Sequence, residues 1–224
     1  MSRRPITLVT GASRGLGREV ARRLAEYGHQ VLAGVRRPSA SDPIPGVEQI
    51  PLDVADPASI RAASELIRSR FGRLDALVNN AGILLDRGGD ILSLEAELLY
   101  RTLETNCLGP LRLAQTLAPL MPKGGRIVNV SSGGGQLSQP STWAPAYCMS
   151  KTTLNALTVQ LAEALRPRGI AVDAVCPGWV RTDLGGPEAP RSLDQGAESI
   201  LWLLIMAGPE ITGGFWRDGE RIPW

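Results

Sequence analysis

The sequence predicts an α/β fold: a single doubly wound domain over residues 1–224, with a mostly parallel sheet and helices on both faces. Apolar, β-rich runs at Ile6 to Val9, Gln30 to Val35, Ala76 to Asn79, Arg126 to Val130 and Ile170 to Cys176 alternate with stretches of helical periodicity, the rhythm of parallel strands joined by crossovers. Several of these runs are apolar on consecutive residues, as strands covered on both faces require. A length of 224 residues with 43% hydrophobic content suffices for one substantial core and is short for two.

The first run ends in Thr10-Gly11-Ala12-Ser13-Arg14-Gly15-Leu16-Gly17. Gly11, Gly15 and Gly17 permit a tight turn, a close backbone approach to a pyrophosphate, and a helix whose amino terminus faces that anion. The spacing departs from Gly-x-Gly-x-x-Gly, so the match is one of physics rather than letter. An ordinary strand-to-helix turn also uses glycines; the position directly after a strand favours phosphate. In dinucleotide sites an acidic residue beyond the second strand accepts the ribose 2′-hydroxyl, whereas arginine accommodates a 2′-phosphate. Here that strand ends in Gly34-Val35-Arg36-Arg37, with no carboxylate. Arg36 and Arg14 therefore favour NADP(H) over NAD(H), the alternative being that Arg36 and Arg37 are solvated surface charges.

Pro38, Pro43, Pro45 and Gly46 crowd the next stretch, which is expected to be a loop. Asp56-Pro57 then reads as an N-cap with proline at the first helical position. Ile60, Ala63, Ile67 and Phe71 recur on one face, and Gly72 closes the helix. A long helix is expected from about Leu98 through Pro110. Proline has no amide to return to the carbonyl four residues earlier, which leaves the Asn106 carbonyl available to a water. Tyr147 and Lys151 stand four apart on a helical stretch, so phenol and amine share one face. Ser192 and Gln195 form a capping box before an apolar helix containing Ile200, Leu203 and Leu204.

Lys and Arg number 24 against 22 Asp and Glu, a net charge of +2 that advertises neither a nucleic-acid nor an acidic-membrane surface. The 3 cysteines, Cys107, Cys148 and Cys176, lack Cys-x-x-Cys spacing, and His29 is the single histidine. Disulfide frameworks, metal sites and histidine-dependent triads are all poorly supported, and Ser132 has no partner for hydrolase chemistry. With reduced thiols, no signal-like opening stretch and no apolar run near 20 residues, the expectation is a soluble, cytoplasmic protein.

Taken together, Thr10 to Gly17, Asp53-Val54, Asn79-Asn80-Ala81-Gly82, Asn106, Ser131-Ser132, Tyr147, Lys151 and Pro177-Gly178 resemble, in order, the motifs of the short-chain dehydrogenase/reductase family over nearly the whole chain. Pro177 to Thr182 and Gly213-Gly214-Phe215-Trp216-Arg217-Asp218 look most like its carbonyl-reductase-like branch. The resemblance implies a Rossmann-type domain performing hydride transfer between NADP(H) and a carbonyl or alcohol carbon. It implies Asn106, Ser132, Tyr147 and Lys151 as catalytic residues, with Ser131 and Ser138 as weaker candidates for the serine. Cofactor contacts are implied at Gly11, Ser13, Arg14, Gly15, Leu16, Gly17, Arg36, Asp53, Val54, Asn80, Ala81, Gly82, Tyr147, Lys151, Pro177, Gly178, Val180 and Thr182. Lys151, together with the cationic oxidised nicotinamide, would favour tyrosinate in the alcohol-oxidising direction and would hold the nicotinamide ribose, and the Asn106 carbonyl would hold a water of a proton relay that Pro110 creates.

Read singly, each of these residues has a structural alternative: Ser131 and Ser132 can end a strand, Asn106 can cap a broken helix, and Asn79 can tie strand to strand. Residues 183–191 are expected to form a short substrate lid, with Trp143, Trp179 and Leu184 as candidate pocket walls. The loop from Ser132 to Tyr147 is slightly longer than usual yet lacks the large insertion of some carbonyl reductases, so a homodimer or homotetramer is expected. Asp173 stands where asparagine is common. The competing reading is a noncatalytic NADP-binding regulatory protein; an isomerase lacks the chain length beyond Thr182 for a separate substrate region.

Overall fold

The computed structural model describes residues 4–224. Its elements run β1 (Ile6–Thr10), α1 (Gly15–Glu26), β2 (Gln30–Val35), β3 (Val47–Pro51), α2 (Pro57–Phe71), β4 (Ala76–Asn79), α3 (Ala96–Leu103), α4 (Gly109–Leu117), β5 (Arg126–Val130), α5 (Pro145–Leu165), β6 (Ala171–Val175), α6 (Leu193–Ile205), β7 (Phe215–Arg217) and β8 (Glu220–Arg221). They form one 8-stranded sheet in the order β3-β2-β1-β4-β5-β6-β7-β8. Every pairing is parallel except that of β7 with β8. The winding reverses between β1 and β4, where the crevice at the carboxyl ends of the strands opens.

The consecutive apolar residues of the strands serve two cores. Leu8, Leu77 and Ile127 point into one, with Ile60 and Ile67 of α2 and Leu113 and Leu117 of α4. Their neighbours Val9, Val78 and Val128 point into the other, with Val20 and Leu24 of α1 and Ile200 and Leu203 of α6. Helix ends follow the sequence signals. Asp56 caps α2 by accepting from Ala58 N–H, and Gly72 ends the helix in the left-handed region at φ 68°. The Ser192–Gln195 capping box on α6 is complete in both directions.

Three segments depart from expectation. The proline-rich crossover is a single 3-10 turn, Pro38–Ala40, followed by an additional edge strand, β3, parallel to β2. Only Ile50 of that strand is buried, so its pattern carries almost no periodic signal. The long helix expected through Pro110 is interrupted by a π turn at Glu104–Leu108, where Gly109 N–H bonds back to Glu104. A wider turn is how a helix accommodates a proline that cannot bond four residues back. At the end of the chain β7 and β8 form a hairpin around Asp218 and Gly219, at φ 52° and 81°. That Asp-Gly pair is the turn signal for strands too short to show alternation.

Candidate active site

The crevice at the β1/β4 reversal is a cleft of about 1720 Å³. Its floor is the glycine loop. Gly11 adopts φ +65°, and a β-carbon there would come 2.8 Å from Ala81 Cα. A β-carbon on Gly17 would collide with the Asn80 amide. Asn80 holds the loop in place, its Nδ2 donating to Thr10 O at 2.8 Å, while the backbone N–H groups of Asn80 and Ala81 both donate to Thr10 Oγ1 at 3.0 Å. Helix α1 starts at Gly15 with no side-chain cap and no acidic residue in its first turn. Its first N–H groups are thus available to an anion in the cleft that Gly15, Leu16 and Gly17 line. Gly15, at φ +54°, lies opposite Thr182, and a β-carbon would stand 3.5 Å from Thr182 Cγ2. The chain therefore fits a dinucleotide phosphate on its own geometry.

Ser13, Arg36, Asp53, Val54, Ala81 and Gly82 line the same cleft, as do Pro177, Gly178, Val180 and Thr182. Arg36 is exposed at the rim immediately after β2. Arg14 instead meets Asp183, Nη1 to Oδ2 at 2.5 Å, with both side chains more than 70% exposed. Such a pair is worth about 0–1 kcal/mol, little enough for a phosphate to replace it. Val54 is tucked against the π turn, where a β-carbon on Gly109 would come 2.7 Å from the Val54 carbonyl. Residues 182–185 line the cleft. The Gly185 N–H donates to Thr182 Oγ1 at 2.9 Å, Trp179 Nε1 donates to Gly185 O at 2.8 Å, and Arg87 Nη2 donates to Leu184 O at 2.5 Å.

Helix α5 supplies the wall that carries Tyr147 and Lys151. Tyr147 and Lys151 are 6% and 4% exposed, and the lysine Nζ lies 5.7 Å from the phenol ring centroid. Burial pushes the Tyr147 phenol up to about 12, opposed by the Ser132 hydroxyl, which favours phenolate. Burial likewise brings Lys151 down to about 8. The lysine ammonium donates to Val130 O at 2.8 Å. The helix has no cap from its own N-cap residue, Ala144. The buried Asp86 carboxylate, far off in sequence, accepts from Ala146 N–H at 2.5 Å and Tyr147 N–H at 3.4 Å and does that work. Its role is invisible to periodicity or motif.

Ser132 lines the cleft after β5, and its Oγ accepts Gly134 N–H at 3.1 Å while its hydroxyl hydrogen is directed to the Tyr147 phenol. Ser131 also lines the cleft, but its buried hydroxyl is committed to Asn155 Oδ1 at 2.6 Å, and Ser138 is exposed and does not line the cleft. Among the residues predicted to act, Asn106 alone stands behind the wall. Its Nδ2 donates to Ile83 O and to Ser150 Oγ, both at 2.9 Å, and its Oδ1 accepts Ile83 N–H at 2.8 Å. The side chain is fully used in tying the β4 loop to α5. Asn79 does tie strands, donating to Asn129 Oδ1 at 2.8 Å. Trp143, Trp179 and Leu184 line the open end of the cleft, 40%, 53% and 37% exposed.

Sequence reasoning passed over Asp86, Arg87 and Arg217, the last two also in the cleft wall. Asp173, in contrast, acquires a clear role away from the cleft. It is fully buried and bonds Arg126 Nη1 at 2.8 Å, Trp216 Nε1 at 3.0 Å and Gly214 N–H at 3.1 Å, locking β7 onto β6.

The short chain dehydrogenase family pattern matches residues 5–192. Mouse carbonyl reductase [NADPH] 1 is 32% identical over 282 aligned positions, covering 100% of this chain and 99% of its own. The (+)-neomenthol dehydrogenase of Arabidopsis thaliana is 31% identical, with 96% of each chain covered. Among solved structures, NADPH-bound carbonyl reductase from chicken fatty liver superposes with TM-score 0.89 at 29% identity over 100% of both chains. A Burkholderia multivorans putative short-chain dehydrogenase/reductase with bound NADP gives TM-score 0.90 at 29% identity, covering 99% of this chain and 100% of that one. The chain belongs to the short-chain dehydrogenase/reductase family of oxidoreductases, in its carbonyl-reductase-like branch.

Proposed function

We propose that the protein is an NADPH-dependent carbonyl reductase. The observation that carries the reading is that Ser132, Tyr147 and Lys151 line the same cleft whose floor is the phosphate-binding glycine loop. NADPH, seated along that cleft, would supply the hydride to the carbonyl carbon. Ser132, whose Oγ is held by Gly134 N–H, would turn its hydroxyl hydrogen from the phenol to the carbonyl oxygen and orient it. Tyr147, kept protonated by burial, gives its proton to that oxygen as negative charge develops. Lys151, near 8, carries a proton at neutral pH, and its ammonium would exchange Val130 O for ribose hydroxyls of the cofactor. Asn106 braces the β4 loop beside Lys151. A β-carbon on Gly82 would lie 3.4 Å from Asn106 Oδ1 and 3.6 Å from Lys151 Nζ.

Arg36 at the rim, with Arg14 released from Asp183, would hold the 2′-phosphate and so select NADPH over NADH. The NADPH and NADP named in the relatives' descriptions support the same choice. The test is anaerobic oxidation of NADPH and of NADH over a panel of aldehydes, ketones and quinones. Turnover with NADPH preferred, and that preference reduced in Arg36→Ala, is the expected result. Tight NADPH binding without oxidation of any carbonyl would instead favour a noncatalytic regulatory protein.

A further inference from the structure

We propose that the substrate carries a carboxylate or similar anion a few bonds from its carbonyl, and that Arg217 receives it. The carbonyl half of this statement rests on the reductase reading above; the anion site does not. Strand β7 pairs with β6 so that Trp216 is level with Val175, which brings Arg217 to the carboxyl edge of the sheet beside Cys176. There the guanidinium enters the cleft wall. Its Nη2 donates to Cys176 Sγ at 3.1 Å, a weak acceptor, and its Nε is buried with no partner. Among the described residues no carboxylate pairs with it. The adjacent Asp218 is taken by Arg191 through two bonds of 2.6 and 2.7 Å. A half-buried guanidinium satisfied only by a thiol is a charge with donors to spare, and its planar fork matches a carboxylate.

Position selects the substrate class. A β-carbon on Gly133 would come 3.1 Å from Arg217 Nη2, and Gly133 is the residue after Ser132. Bond lengths then hold the guanidinium within roughly 11 Å of the Ser132 hydroxyl, a reach suited to a short oxo acid. A second cation, Arg87, lies 5.4 Å over the Trp143 ring, which is itself 5.7 Å from the Tyr147 ring. It adds positive potential at the mouth. Of the acidic residues of the cleft, Glu104 is paired with Arg112, Glu97 and Asp53 stand on α3 and beyond β3, and the Asp183 side chain, which Arg14 would leave on taking the 2′-phosphate, is 71% exposed to solvent. The nicotinamide carboxamide is neutral and requires acceptors as well as donors, which a guanidinium lacks.

The test compares 3-oxo, 4-oxo and 5-oxo acids of four to six carbons with their methyl esters, in the wild type, Arg217→Gln and Arg217→Lys. At least one acid should exceed its ester by about tenfold or more in kcat/KM. Arg217→Gln should erase that ratio, chiefly through KM, and Arg217→Lys should keep part of it. In parallel, calorimetry measures binding of the matching hydroxy acids and hydroxy amides to the NADP-loaded protein. Acids binding more tightly than amides, with the difference lost in Arg217→Gln, supports the anion site even if no substrate turns over, an outcome that would sink only the reductase reading. Esters equal to or better than acids, or a ratio unchanged in Arg217→Gln, overturns the proposal. So does a Gln variant that weakens NADPH binding while leaving the ratio intact, since the arginine would then belong to the cofactor.

Discussion

At the scale of single residues, desolvation governs the reactive wall. Tyr147 and Lys151 are both buried, and burial pushes each toward its neutral form, the phenol up to about 12 and the amine down to about 8. A proton donor for carbonyl reduction should be protonated at rest, so the shift on Tyr147 suits the reductive direction. The lysine shift has a thermodynamic signature. As pH rises through about 8, the folded protein loses the Lys151 proton while the unfolded chain keeps it until near 10.5. The unfolded state then binds more protons, and stability from this group rises with pH across that window. Tyr147 acts oppositely between 10 and about 12, where the folded state keeps a proton the unfolded chain has released. The stability difference between wild type and Lys151→Met should therefore shift toward the wild type by about 1 kcal/mol between pH 8 and 9.5, read from urea midpoints. A difference flat with pH would mean that the lysine is not desolvated. The Tyr147–Lys151 pair was legible because helical spacing puts both on one face. Asp86 and Arg217 were not, since each acts alone, on partners 60 and 41 residues distant.

Among elements, α5 shows how a site is positioned from outside its own sequence. Its amino terminus lacks a local cap, and Asp86 provides the carboxylate that its first N–H groups require. Asp86→Ala should cost about 1–2 kcal/mol of stability. It should also lower kcat several-fold while NADPH affinity holds, because the loosened turn contains Tyr147. Asp86→Asn, which keeps an acceptor, should recover most of both. Thermal unfolding and steady-state kinetics read the result, and an Ala variant matching the wild type in both would remove the positioning role. Capped helices such as α2 and α6 were readable in advance because their signals are local. Edge strands were not: β3 buries one residue, and β7 and β8 owe their place to the buried Arg126–Asp173 pair and a two-residue turn. Pro110 foretold a disturbance in its helix, though the π turn that answers it depends on Gly109 packing against Val54.

For the molecule as a whole, the consecutive apolar strands and the two cores are one fact seen twice, and the strand order reverses between β1 and β4. That reversal places the glycine loop, the Asn80-Ala81-Gly82 turn, Ser132 and the Tyr147 face on a single cleft. Motif order in the sequence anticipated this convergence. The ionic character of the open end emerged only once β7 was in place. The most direct measurement of the central claim is carbonyl-dependent NADPH oxidation by Tyr147→Phe, with NADPH affinity determined on the same preparation. The account predicts a fall in kcat of about a hundredfold or more with NADPH affinity within about twofold of the wild type; a phenylalanine variant that turns over at the wild-type rate would contradict it.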